Sequence, residues 1–269
     1  MSPEYQGSLY AMELFWRVTY CVGMGLVAYL LHRVVGRYPK QLPGAENPKG
    51  EILQALLLWG IAIVFPILMT YVISPWLNQV VANATLRELF RTPLLSLPYI
   101  ALPLFIVLRL NRWTAKDVGL TWKVQSGSVA ASAVIFGLVT GGIAFVANQA
   151  VVGIEPLPAG VLLLLLYNNS FIEEFYHRGV IQSKLERAIG QKKAILWGGI
   201  LFGLTHVVFD ISSLLGSGGA LVVFLAVLTQ TVAGWILGII YMKTRSLWPG
   251  ILCHYFGNWL PSILTGLLG

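Results

Sequence analysis

Charge is what this sequence has least of. Only 11% of its 269 residues are Asp, Glu, Lys or Arg, where a soluble domain carries about 25%. That leaves too little polar surface to face water on all sides, which excludes an ordinary soluble domain. Cysteine is scarce too: Cys21 and Cys253 both lie in apolar stretches, without zinc-type or redox spacing. No HExxH occurs, so a metal site would have to be assembled across separate helices. No basic stripe with interleaved aromatics occurs either, which removes nucleic acid as a partner. The first ten residues hold one Glu and no Lys or Arg, unlike the basic start of a signal peptide. No two interrupted spans occupy corresponding halves, as they do in inverted-repeat transporters. With no low-complexity tract or polar insertion, residues 1–269 read as a single integral membrane domain. Its motif-bearing core covers about 126–266.

What the chain does have is apolar length. Hydrophobic residues make up 57% of it and the mean hydropathy is +0.74. About 20 mostly apolar residues cross the roughly 30 Å hydrocarbon core. Eight segments qualify, at about 12–31, 52–73, 93–108, 126–147, 159–177, 194–212, 219–241 and 247–266. The expected fold is therefore all-α, with about eight transmembrane helices. The third segment is short and contains Pro93, Pro98 and Pro103, so a kinked or partly re-entrant helix is expected there. The more polar stretch 76–91 reads as an interfacial helix.

Basic residues set the expected orientation. Fifteen of the 18 Lys and Arg fall in four connections on one side of the bundle; the others are Arg17, Arg87 and Arg91. Positive loops stay cytoplasmic, which places both termini outside. The net charge of +7 needs no further explanation.

Against this background "NNSFIEEFYHRGV", residues 168–180, is unusual. Two adjacent acids, a histidine and an arginine follow directly on an apolar run. If the helix continues, Glu174 and Arg178 share a face and can pair, while Glu173 points about 100° away. Acids reach poorly towards the interface, and ionisable groups inside spans are usually functional. Of the other histidines, His32 abuts Arg33 and reads as an interfacial anchor, but His206 and His254 lie inside apolar spans. Asn258 lies one turn beyond His254. Each of these groups needs a polar partner away from lipid, so convergence on one cavity is expected. That cavity is expected to open to the cytoplasm, because Glu173 is placed about one helical turn inside the cytoplasmic end of span five. A carboxylate in apolar surroundings can act as a base on water, and histidine and amide groups can stabilise an oxyanion. The same residue types suit hydrolysis without a nucleophilic side chain. A zinc ion on Glu173, His206 and His254 is the alternative.

The three motifs together resemble those of the CAAX protease and bacteriocin-processing family, the Abi group of intramembrane proteases. Its EExxxR is Glu173–Glu174 to Arg178, its FxxxH is Phe202 to His206, and its HxxxN is His254 to Asn258. The motifs occur in family order on spans five, six and eight. The resemblance implies that Glu173 is the general base and His206 its partner. It implies that His254 and Asn258 bind the oxyanion, and that Glu174, Arg178 and Phe202 support the site. His177 is not a motif position and is assigned to the helix end. Among known branches the prenyl endopeptidases come nearest, with a glutamate-dependent mechanism that requires no cofactor. The implied partners are the lipid bilayer and a membrane-associated peptide or protein, prenylated for some members. A non-catalytic membrane regulator and a proton-coupled transporter are the rival readings.

Overall fold

The computed structural model describes residues 3–151, 156–215 and 219–268; both chain termini lie outside the described residues. Its described residues form helices joined by short connections, without strands. Eight long helical stretches follow one another: α1 (Pro3–Arg33), α2 (Pro48–Val80), α3 (84–110), α4 (Gly127–Val151), α5 (159–189), α6 (Gln191–Leu215), α7 (Gly219–Thr244) and α8 (Trp248–Leu268). Among the described residues four segments are long and apolar enough to cross a membrane: Pro48–Val80, Thr85–Leu110, Gly127–Ala147 and Ala220–Thr244. The chain is an integral membrane protein.

Two sequence expectations change. The stretch 76–91 is not one interfacial helix: α2 runs on to Val80, and α3 starts anew at Ala84 with the Asn83 side chain accepting from Leu86 N–H. The prolines do not make α3 short or re-entrant. Proline lacks an N–H and crowds the carbonyl one turn back. The helix answers by widening its turns over Leu97–Ala101 and Phe105–Leu110, and stays continuous.

A further change concerns α5. It does not end near Arg178 but continues as helix to Ile189. Every residue from Glu174 to Glu186 is buried. The polar residues there read as a loop because their partners are remote in sequence. Lys184 Nζ reaches Glu51 (2.8 Å), Gln54 (2.6 Å) and Asn111 (3.1 Å). Glu186 receives Arg245 through both carboxylate oxygens, at 2.6 and 2.7 Å, and Leu42 N–H at 3.1 Å. Lys243 Nζ donates to the carbonyls of Leu31, His32, Val35 and Gly36 at the C-terminus of α1, where a cation satisfies orphan carbonyls. These bonds form a buried polar plug at the end of the bundle that carries the basic loops. Arg178, Lys184, Lys243 and Arg245, counted above as loop charges, are in fact buried.

Glycines let the helices meet closely around the site. A Cβ on Gly141 of α4 would clash with Phe256 O of α8, and one on Gly137 would lie 2.6 Å from Cys253 O. Gly199 and Gly203 of α6 likewise lie directly against Trp235 and Thr231 of α7. Such small-xxx-small faces allow helices in lipid to pack backbone to backbone. The first pair fixes the part of α8 that carries His254. The second fixes the part of α6 that carries Phe202 and His206.

Candidate active site

Glu174 is the centre of the polar constellation. It is 1% exposed, its Oε1 lies 3.0 Å from His254 Nδ1, and its Oε2 lies 3.4 Å from Arg178 Nε. A carboxylate beside a guanidinium accepts, so His254 Nδ1 donates to Glu174. His254 Nε2 lies 3.9 Å from Glu173 Oε2, too far for a direct hydrogen bond but a gap that a water can bridge. Glu173, one residue earlier on α5, has its side chain 31% exposed and lines a cavity of about 490 Å³.

Phe202 organises the rest. Arg178 Cζ stacks 4.0 Å from its ring centre, and His177 meets it edge-on at 5.1 Å. The His206 ring lies 4.6 Å away, with Nδ1 donating to Phe202 O at 2.9 Å. His206, His254, Asn258 and Glu173 all line the same cavity. The structure therefore brings every residue expected from the three motifs to one place. It differs in the neighbour of Glu173: the contact runs to His254, while His206 packs on Phe202.

His177 is misplaced by the sequence reading. It is no helix-end residue; it is buried in the middle of α5, lines the cavity, and its Nδ1 is buried without a hydrogen-bond partner. Its spacing of four residues from Glu173 was the available signal. Glu173 also has a buried oxygen, Oε2, without a partner, as do the two terminal nitrogens of Arg178. Among the described residues, no three His, Cys, Asp or Glu side chains gather as metal ligands. The trio Glu173, His206 and His254 thus does not fit a zinc ion in this arrangement.

The cavity extends away from the plug. From His254, in the second turn of α8, the lining passes Tyr99 and Asn168 to Ser74 near the end of α2 and Arg91 near the start of α3. The beginning of α1 and the end of α8 lie at that same end. The lining thus runs towards the end of the bundle that holds the start of α1 and the end of α8.

Residues 155–260 match the family model of the Rce1-like type II CAAX prenyl endopeptidases. The match spans all three motifs and bears out the resemblance to CAAX proteases read from them. The matched family is one of membrane proteases. No curated protein and no solved structure matches the chain.

Proposed function

We propose that this protein is an intramembrane endopeptidase that hydrolyses a peptide bond in a prenylated, membrane-associated substrate, using a water activated by Glu173. The observation that carries this reading is the pairing of a buried, fully engaged Glu174 with a cavity-facing, incompletely bonded Glu173. One acid positions; the other is left to react.

In this reading the water sits between Glu173 and His254. Glu173 takes one proton as the water oxygen attacks the carbonyl carbon. Asn258 donates to the developing oxyanion, since an amide N–H keeps its donor whatever the state of the histidines. Glu174 fixes the tautomer and ring plane of His254, whose Nε2 takes the proton from Glu173 and passes it to the leaving amine, which restores the Glu173 carboxylate. As that nitrogen becomes an amine, the C–N bond breaks and the water's second proton leaves with the carboxylic product. His206 borders the water from α6, held by Phe202 O. No metal takes part in these steps.

The substrate enters from the end of the bundle that carries the termini. The direct experiment incubates purified protein in vesicles with a farnesylated CAAX peptide and reads products by mass spectrometry. A product with a newly exposed N-terminus is expected; its absence from every prenylated and unprenylated peptide tried would end the protease reading. Single cysteines at 206 and 258, in a background lacking Cys21 and Cys253, are expected to label from the side of the termini only. Labelling from the side of the basic loops would contradict the entrance.

A further inference from the structure

Resting on the proposed hydrolysis, we infer that Arg91 is a binding residue for the free C-terminal carboxylate of the substrate. Arg91 lies outside the segment that matches the family model. Among the described lining residues it is the sole Lys or Arg of the cavity. It falls within the candidate span Thr85–Leu110, where an ionisable residue marks function more often than structure. Glu88, one turn before it, holds Nη1 at 3.4 Å, with the two side chains 41% and 26% exposed. Such an exposed pair is weak, and Arg91 Nε is buried without a hydrogen-bond partner. The guanidinium is thus held at the cavity wall and loosely engaged.

Its height above the reacting groups is set by the neighbouring residue. Thr92 Oγ1 accepts from Asn168 Nδ2 at 3.1 Å, and the Tyr99 ring packs 4.9 Å from the Tyr176 ring. Those two contacts put α3 and α5 side by side, running the same way, with Arg91 level with the turn around Asn168. Asn168 precedes Glu173 by five residues, about 7.5 Å at 1.5 Å per residue. A CAAX motif ends the chain three residues after its prenylated cysteine. Whichever bond within it is cut, the free carboxylate lies within about 10 Å of the scissile carbonyl at 3.3–3.6 Å per extended residue. The two lengths agree. Arginine suits this task, since its planar fork meets a carboxylate through two parallel hydrogen bonds. The substrate carboxylate takes the place of Glu88 at the guanidinium.

The test measures equilibrium binding of a fluorescent farnesylated CAAX peptide to full-length Glu173→Gln protein, which keeps the peptide uncut, in phosphatidylcholine vesicles. The peptide is supplied as the free acid and as the C-terminal amide. The acid is expected to bind about ten- to a hundred-fold tighter, the range for a hydrogen bond to a charged group. Adding Arg91→Gln should bring the acid down to the amide's affinity and leave the amide unchanged, which also reports an intact fold. Arg91→Lys should keep part of the preference. Glu88→Gln should increase it, a gain that misfolding does not produce. An acid preference that survives Arg91→Gln, or an equal loss for both peptides, overturns the inference. If the loss is equal and appears only when anionic lipid is present, the anion at Arg91 is a headgroup phosphate and the inference is also overturned. Should the wild-type protein cleave nothing while the Arg91-dependent preference holds, hydrolysis fails and the carboxylate site stands.

Discussion

Two buried polar layers lie within α5, about three turns apart, and they are built to opposite rules. In the plug the charges are saturated. Lys184 has three oxygen partners, Glu186 receives a bidentate Arg245 and a backbone N–H, and Lys243 sits among four carbonyls. In the cavity layer the charges are under-bonded: Glu173 Oε2, His177 Nδ1 and both terminal nitrogens of Arg178 are buried without partners. A buried unmet polar group costs about 1–3 kcal/mol. Stability alone would remove such groups, so where several cluster on a cavity they mark a surface shaped for something that arrives later. The plug stabilises; the cavity layer is the one that the proposed hydrolysis uses.

That contrast is open to attack through the plug first. Lys184→Met leaves Glu51 buried and uncompensated, and breaking one partner of a buried pair costs about 3–5 kcal/mol. Thermal unfolding in detergent should register a large drop, while activity per folded molecule stays near wild type. A variant that is stable yet inactive would place the plug in the reaction.

A smaller effect is expected where backbones touch. Gly141→Ala forces a methyl against Phe256 O, and overpacking of this kind costs about 1–3 kcal/mol. Because α8 must shift, His254 moves from Glu174 and turnover should fall more than stability predicts. Equal, modest losses in both would mean that the α4–α8 contact does not set the site geometry.

The smallest effect belongs to Asp117, outside the spans. Burial pushes its carboxyl up, but hydrogen bonds from Thr114 and the Arg187 guanidinium outweigh this and hold it below the ordinary aspartate value. A depressed folded value gives stability that is present above the unfolded value, about 3.9, and is lost as pH falls through the folded one. The Asp117–Arg187 pair, at 2.7 Å, is partly exposed, so the contribution is about 0–1 kcal/mol. Unfolding of wild type and Asp117→Asn should differ slightly above pH ~4 and converge below it. A difference that grows in acid would contradict the sign.

The sequence carried the class and the site more clearly than the architecture between them. EExxxR, FxxxH and HxxxN needed only local spacing and polarity in an apolar chain to be read. The continuation of α5 past Arg178 was hidden because hydropathy counts Lys184 and Glu186 as polar, whereas their partners Glu51 and Arg245 make them buried. The same blindness put His177 at a helix terminus. The Gly137–Gly141 and Gly199–Gly203 spacings were visible signals of close helix contact. Which helices they join is a tertiary fact that no single sequence states.

The central claim is that two acids of one helix, Glu173 and Glu186, serve different ends. The most direct measurement compares Glu173→Gln with Glu186→Gln for initial cleavage rate of the prenylated peptide per folded molecule, alongside thermal unfolding. Glu173→Gln is expected to lose about 10²–10⁴-fold in rate, the typical worth of a general base, with its unfolding temperature unchanged or raised. Glu186→Gln is expected to lower the unfolding temperature and keep the rate. Near wild-type turnover by Glu173→Gln, or a rate loss shared equally by both variants, would contradict the account.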